Sequence, residues 1–169
     1  MQLPQFPDTN IEISLFENVS NTDEIRSRVA ELPYAFIDAS TICSVEQIMS
    51  AIYRVMVEAK YNRLRTKSLQ SEILLALSPT SNIGEAFKRF GLKKDTTNLL
   101  MIQISQNQTS SFDVTLVKGD TVEFEDDNLE KMSDIGTIKK IYKIDQSLHL
   151  KDNAQLSRAV VNAIQLRGL

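Results

Sequence analysis

A short polar turn holds the side chains of this sequence that are best suited to gripping an anion. The turn Ser78–Asn82 follows an apolar run, Ile73–Leu77, which has the length of a buried strand. After the turn, apolar residues recur at the spacing of one helical face, at Ile83, Ala86, Phe87 and Phe90. The pattern predicts a strand, a turn and a helix. Free N–H groups at the start of that helix would hold a phosphate or carboxylate near Thr80 and Ser81.

The same residues also fit an ordinary helix cap with no ligand. Asn82 and Glu85 have the spacing of a capping box, and Gly91 follows Phe90 as a left-handed stop. Both interpretations stay open at this stage. An enzyme that uses Ser78–Asn82 as the anion site for a small-molecule substrate is the alternative to a binding protein.

The sequence contains no recognisable catalytic or metal-binding motif. Its single histidine, His149, lies between two leucines in a predicted loop, where a structural or surface role is expected. The glycines stand singly, so the chain has no glycine-rich phosphate loop. One acidic group could suggest a calcium site: Glu123, Glu125, Asp126 and Asp127. It lacks the ligand spacing and the turn glycine of a calcium-binding loop. We therefore predict a protein that is not an enzyme and needs no metal or cofactor.

Length and composition predict one domain, residues 1–169, with a single core. The only cysteine, Cys43, excludes an internal disulfide and a cysteine-based zinc cluster, so a buried thiol in a reducing compartment is expected. The longest apolar run is five residues and the first residues lack a basic-then-apolar pattern, so neither membrane insertion nor secretion is predicted.

Charge is unevenly distributed along the chain, although the net charge is only −3 and argues against nucleic-acid binding through the overall field. Residues 54–67 contain five basic side chains and one acid, Glu58. Residues 120–134 contain seven acids and one lysine, Lys131. One region is therefore cationic and another strongly anionic.

The first half of the chain alternates strands and helices. Period-two alternation predicts a strand around Ile11–Leu15, and a capping pattern at Asn21 begins a short helix that Pro33 ends. A second strand is predicted at Tyr34–Asp38. Ser44 and Gln47 have the spacing of another capping box, and the strongest helical pattern follows, covering about Ser44–Asn62 with basic residues gathered towards its C-terminal end.

The alternation continues in the second half with a strand at Glu72–Leu77, a helix at Asn82–Phe90 and a strand at Asn98–Ile104. The segment Ser105–Gly119 fits either a brief helix or a period-two strand, and the pattern slightly favours the helix.

A further short strand is expected around Val122 and Phe124, followed at Leu129–Tyr142 by one broken helix or two short ones. The final helix is predicted to be capped by Asp152 and stopped by Gly168. The predicted fold class is α/β (α+β), a single domain in which a small, mostly antiparallel sheet packs against several helices.

Four strings of the sequence occur in an order that is specific to one family. They are Ser78–Ile83, Lys88–Gly91, Ile138–Lys143, and Leu156–Ala159 with Ala163–Ile164. In this order they resemble the PRPK-binding, CGI-type subunit of the KEOPS (EKC) complex. The resemblance extends over nearly the whole chain, and Gln106–Asp120 is shorter than in relatives that have a fuller helix there.

The resemblance implies a regulatory protein that binds the N-terminal lobe of a small atypical kinase of the PRPK/Bud type, and other KEOPS subunits through that kinase. The complex makes the N6-threonylcarbamoyl group on the adenosine beside the anticodon of tRNAs that read codons beginning with A. Another subunit performs that transfer. Relatives grip the single-stranded 3′ end of tRNA, and fungal-like members are linked to telomere maintenance and transcription. Location in the nucleus and cytoplasm is expected.

The C-terminal helix is the first choice for the kinase-binding surface. One face of the predicted helix is formed by Leu156, Ala159, Val160, Ala163 and Ile164. Val161 lies away from the centre of that face, which is expected of a helix shared between a core and a partner. The alternative is that the apolar face only packs on the sheet.

A basic segment and the polar turn together form the predicted RNA-binding surface. Its cations would follow a phosphate backbone while the turn receives a further phosphate. These residues are Lys60, Arg63, Arg65 and Lys67, with Thr80, Ser81 and Asn82. Tyr61 is a candidate for stacking on a base. The alternative is a solvated helix end followed by a loop.

Overall fold

The chain folds around a four-stranded antiparallel sheet. The computed structural model describes residues 3–106, 111–145 and 153–167. The strands are β1 (Thr9–Glu17), β2 (Ala35–Asp38), β3 (Leu99–Gln106) and β4 (Asp120–Val122), and they lie side by side in the order β2-β3-β1-β4. The predicted α+β class with a small antiparallel sheet is confirmed.

Seven α-helices lie within the described residues. They are α1 (Thr22–Arg28), α2 (Val45–Lys60), α3 (Leu69–Leu77), α4 (Ile83–Phe90), α5 (Asp126–Met132), α6 (Ile135–Ile141) and α7 (Asn153–Leu166). The long predicted helix is α2, and its cap is confirmed because Ser44 Oγ accepts a hydrogen bond from the backbone N–H of Gln47 at 3.1 Å. The region after β4 forms two short helices, α5 and α6, rather than one broken helix.

The sheet buries residues on both of its faces. On one face, Ile11, Leu15 and Ile102 belong to the main core together with side chains of α2, α3 and α7. On the other face, Phe16 and Met101 belong to a smaller apolar cluster. Because both faces are covered, β3 is buried along most of its length, including the polar residues Gln103 and Ser105.

The apolar run Ile73–Leu77 is helical, so the predicted strand Glu72–Leu77 is wrong. The run lies in α3, whose N-cap Ser68 accepts a hydrogen bond from the backbone N–H of Ser71 at 3.1 Å. A segment buried on most sides carries apolar residues at nearly every position, so its sequence shows neither the helical nor the strand period. The polar turn Ser78–Asn82 therefore joins two helices, α3 and α4, and not a strand to a helix.

A side chain from α3 completes the edge of β3 where β2 stops. The pairing of β2 with β3 ends at Ala35 and Ile102, and Pro33, two residues before Ala35, has no N–H with which to continue it. Gln70 takes the place of a strand residue there. Its Nε2 donates to the carbonyl of Ile104 at 2.9 Å, and its Oε1 accepts from the backbone N–H of Ile104 at 3.2 Å. The amide thereby attaches α3 to the sheet.

Gly91 ends α4 as predicted, but it does not adopt the predicted left-handed conformation. Its φ is −69° and its ψ is 170°, which is extended backbone. A Cβ at this position would lie 2.5 Å from the carbonyl oxygen of Phe87. Glycine is therefore required here by a close backbone approach and not by a positive φ.

Three further predictions differ from the structure in their boundaries. Helix α1 ends at Arg28, well before the proline predicted to stop it. Phe124 lies beyond the end of β4. In the segment Ser105–Gly119, for which the pattern slightly favours a brief helix, Ser105 and Gln106 end β3, and the described residues after them contain a 3₁₀ turn, Val114–Leu116. Three predicted features lie outside the described residues: His149, the cap Asp152 and the stop Gly168.

Two glycines of the same helical segment test this explanation of Gly91. Gly84 lies inside α4, and a Cβ there would meet only Asn82 Oδ1 at 3.6 Å. We expect Gly84→Ala to raise the free energy of unfolding by roughly 0.5–1 kcal/mol, because alanine restricts the unfolded chain more than glycine does. We expect Gly91→Ala to lower it by about 1–3 kcal/mol through steric strain. Urea unfolding measures both, and a Gly91→Ala protein as stable as the wild type would contradict the explanation.

Candidate functional site

Exposed cations and one aromatic ring gather where α2 ends. Lys60 is the last residue of α2, Arg63, Arg65 and Lys67 follow it in the connection to α3, and all four side chains are exposed. Tyr61 is 59% exposed. The Nζ of Lys60 lies 5.8 Å from the centre of the Tyr61 ring and the guanidinium carbon of Arg63 lies 5.2 Å from it. The segment thus presents a ring flanked by two cations to solvent.

The structure brings this basic loop, residues 61–67, together with the polar turn. Nη1 of Arg65 donates to the carbonyl of Ser81 at 2.9 Å. Ser81 and Asn82 are exposed and Thr80 is half-buried, so the turn and the loop form one continuous polar surface. Loop and turn are thus neighbours in space although α3 separates them in the sequence.

Asn82 acts as an ordinary helix cap. Its Oδ1 accepts a hydrogen bond from the backbone N–H of Glu85 at 3.0 Å, at the start of α4. Ser78 is buried, and its Oγ accepts from the backbone N–H of Thr80 at 3.2 Å. The predicted N-cap is confirmed, whereas the Glu85 carboxylate, expected to complete a capping box, pairs with Arg89. Anion binding at the turn stays a prediction.

Two residues that the sequence patterns did not single out for this site hold it in place. Glu72, in α3, accepts hydrogen bonds from the basic loop. Arg167, after α7, points Nη1 at the carbonyls of Leu75, Ser78 and Thr80. Burial lowers the pKa of Arg167, and the nearby charge of Arg54 lowers it further. Sequence patterns do not reveal either residue. Glu72 accepts mainly from backbone N–H groups, which every residue except proline has, and the partners of Arg167 lie 87 to 92 positions away in the sequence.

The predicted partner-binding face of α7 lies largely inside the protein. Leu156, Val160, Val161 and Ile164 are all buried, and Val161, predicted at the edge of the face, is only 7% exposed. Ala159 and Ala163 are half-buried. The alternative that this face packs on the fold itself therefore holds for four of the six residues, and the role of the helix in binding a partner stays a prediction for its outer side.

A groove of about 680 Å³ lies between α2 and the end of α7. Its lining includes Tyr53, Val57 and Arg54 of α2, with Gln165 and Arg167 beside them. Tyr53 is 46% exposed. Arg54 donates to the carbonyl of Ile164 at 2.5 Å and to that of Arg167 at 2.7 Å, so it satisfies the C-terminal end of α7 and fixes this wall of the groove.

Cys43 is buried. Burial raises the pKa of the Cys43 thiol to about 11, so it stays protonated and unreactive at neutral pH. No group of three or more histidine, cysteine or acidic side chains within the described residues is arranged to hold a metal ion. In that same part of the chain, no helix has the length and apolar character needed to cross a bilayer.

Comparison with known proteins gives consistent similarities over the whole length. A family described as "Kinase binding protein CGI-121" matches residues 16–168. The chain is 46% identical over 172 residues to the EKC/KEOPS complex subunit CGI121 of Candida glabrata, covering 99% of this chain and 98% of that protein. It is 48% identical over 176 residues to the corresponding subunit of Eremothecium gossypii, covering 99% and 97%. For Schizosaccharomyces pombe the identity is 36% over 176 residues, covering 99% of each chain.

Proposed function

The chain belongs to the CGI-121 family of kinase-binding proteins, and on this basis we propose that it is a non-catalytic, regulatory subunit of an EKC/KEOPS complex. Similarity to proteins named as EKC/KEOPS subunits, over 99% of this chain, carries the proposal. Its direct partner is a small atypical kinase of the PRPK/Bud type, through which it joins the other subunits. The complex forms N6-threonylcarbamoyladenosine in tRNA and has a link to telomere maintenance, and the protein works in the nucleus and cytoplasm.

The outer side of α7 is the proposed contact with the kinase. Ala159, Ala163 and Leu166 recur at i, i+4 and i+7, so they form one stripe along the helix, which we name the docking stripe. Leu166 is 62% exposed, and the groove beside it presents Tyr53. Exposed apolar and aromatic side chains next to a pocket are typical anchors of a protein interface. The buried residues of α7 support the stripe from inside.

Two alanines of α7 give a matched test of the docking stripe. Ala163→Glu places a carboxylate in the stripe, whereas Ala154→Glu makes the same change at an exposed position on the opposite side of the helix. We expect Ala163→Glu to weaken binding of the purified kinase by at least about tenfold, because a carboxylate would be buried unpaired in an apolar contact. Ala154→Glu should bind normally in the same calorimetric titration.

Leu166→Glu is a second test of the docking stripe. Leu166 is exposed, so its replacement leaves the core intact and a loss of binding would not be due to unfolding. This variant should also weaken kinase binding. Normal binding by both stripe variants would place the kinase elsewhere on the protein. Val161→Glu and Ile164→Glu are unsuitable tests, since both side chains are buried and these variants should unfold.

The basic loop, the preceding residue Lys60 and the polar turn form the proposed RNA surface. Its residues are Lys60, Arg63, Arg65, Lys67 and Thr80–Asn82. Its exposed cations, its ring between two cations and the hydrogen bond between Arg65 and Ser81 support binding of single-stranded RNA. The cations contact phosphates, and Tyr61 stacks on a base. The ligand is the single-stranded 3′ end of tRNA.

Salt dependence tests the RNA surface. If about four phosphates are contacted, affinity for tRNA should fall with a log–log salt slope near −2.8, from roughly −0.7 per phosphate. Lys67→Gln should make the slope shallower by about 0.7. Lys131→Gln, which removes the same charge from the acidic region, should leave it unchanged. Fluorescence anisotropy measures the slopes, and undiminished binding to tRNA with a trimmed 3′ end would refute the proposed ligand.

A further inference from the structure

Glu72 directs a buried carboxylate at the basic loop. It lies in the first half of α3 and is only 4% exposed. A buried carboxylate is expected to face a cation or several hydrogen-bond donors, because its desolvation is otherwise costly. Here the donors all come from two consecutive residues of the loop, Arg65 and Thr66.

The contacts of Glu72 are short and numerous. The backbone N–H of Thr66 donates to Oε2 at 2.9 Å, and the hydroxyl of Thr66 donates to the same oxygen at 2.6 Å. The backbone N–H of Arg65 lies 3.2 and 3.3 Å from the two carboxylate oxygens. Hydrogen bonds to an ionised acceptor are among the stronger ones in proteins. The carboxylate therefore fixes the backbone of the loop at Arg65, whose side chain is part of the proposed RNA surface.

We infer that Glu72 is a positioning residue of the RNA surface, whose carboxylate holds the loop so that Arg65 reaches Ser81 and joins the loop to the turn. This inference rests on the proposed RNA binding. Arg63, Arg65 and Lys67 crowd three like charges into five residues, and they repel one another. An anchored backbone keeps these cations together on one side, where a free loop would let them separate.

Charge alone predicts the opposite effect of Glu72 on RNA. A negative side chain beside a phosphate-binding surface repels the ligand, so its removal should raise affinity. Positioning predicts that its removal lowers affinity. Glu58 provides the matched comparison, because it is also an acid next to the basic loop but only pairs with Arg63 at 3.2 Å on the surface. The two acids should therefore respond to the same substitution with opposite signs.

The experiment compares Glu72→Gln with Glu58→Gln, using a fluorescein-labelled single-stranded RNA of about 12 nucleotides, within the site sizes of single-strand-binding domains. Glu58→Gln should bind about twofold tighter, since it frees Arg63. Glu72→Gln should bind about fivefold to tenfold weaker, with a salt slope shallower by about 0.7 as Arg65 loses its phosphate. In the Glu72→Gln background, adding Arg65→Gln should cause no further loss, whereas the same change in the wild type should weaken binding.

Thr66→Val is a second test if Glu72→Gln is poorly folded. It removes the hydroxyl that donates to Glu72 at 2.6 Å and lies 3.1 Å from the carbonyl of Ser68, and it leaves the charge of Glu72 unchanged. It should weaken RNA binding by about twofold to threefold and speed amide exchange in the loop. If Glu72→Gln binds the RNA as tightly as Glu58→Gln does, the positioning role of Glu72 is wrong, but the proposed RNA function is unaffected. A folded Thr66→Val with wild-type affinity would lead to the same conclusion. A wild-type protein that fails to bind the RNA at low salt would instead overturn the proposed RNA function, and this inference with it.

Discussion

Helix α3 packs against α2, α4, β2 and β3, and the buried polar groups of this helix must find hydrogen-bond partners in the elements around it. The carbonyl of Leu77 receives a hydrogen bond from the hydroxyl of Tyr142 at 2.6 Å. The carbonyl of Leu75 receives one from Arg167. Burial raises the pKa of Tyr142, so the hydroxyl keeps its proton and remains a donor. The end of α3 is therefore bonded to the residue that follows α6 and to the residue that follows α7.

The same helix connects the two proposed binding surfaces. Arg167 follows directly after α7, which carries the docking stripe, and its guanidinium also lies 3.4 Å from the carbonyl of Thr80 in the RNA surface. At the other end of α3, Glu72 holds the basic loop. A kinase on the outer side of α7 and an RNA on the loop would thus contact two surfaces that are both hydrogen-bonded to α3 or to the turn after it. This arrangement suits the proposed regulatory subunit, in which an RNA and a kinase would lie on neighbouring surfaces.

Local patterns predicted the parts of this protein whose cause is local. The caps at Ser44 and Asn82 depend on partners three residues away, and the alternation in β1 follows from the pleat of a strand. The run Ile73–Leu77 was misassigned because a segment buried on most sides loses its period. The burial of Val161 and the reach of Arg167 across 92 positions to Leu75 depend on tertiary packing, which single-sequence spacing does not report.

Native-state hydrogen exchange of α3 tests most directly whether this helix holds the fold together. The amides of Ile73–Leu77 should exchange only through global unfolding, with the same free energy as the most protected amides of β3. Tyr142→Phe, which leaves the carbonyl of Leu77 unpaired, should lower that free energy by about 1–3 kcal/mol and speed exchange in both α3 and the end of α7. Exchange of α3 through local opening, or an unchanged free energy in Tyr142→Phe, would contradict the account.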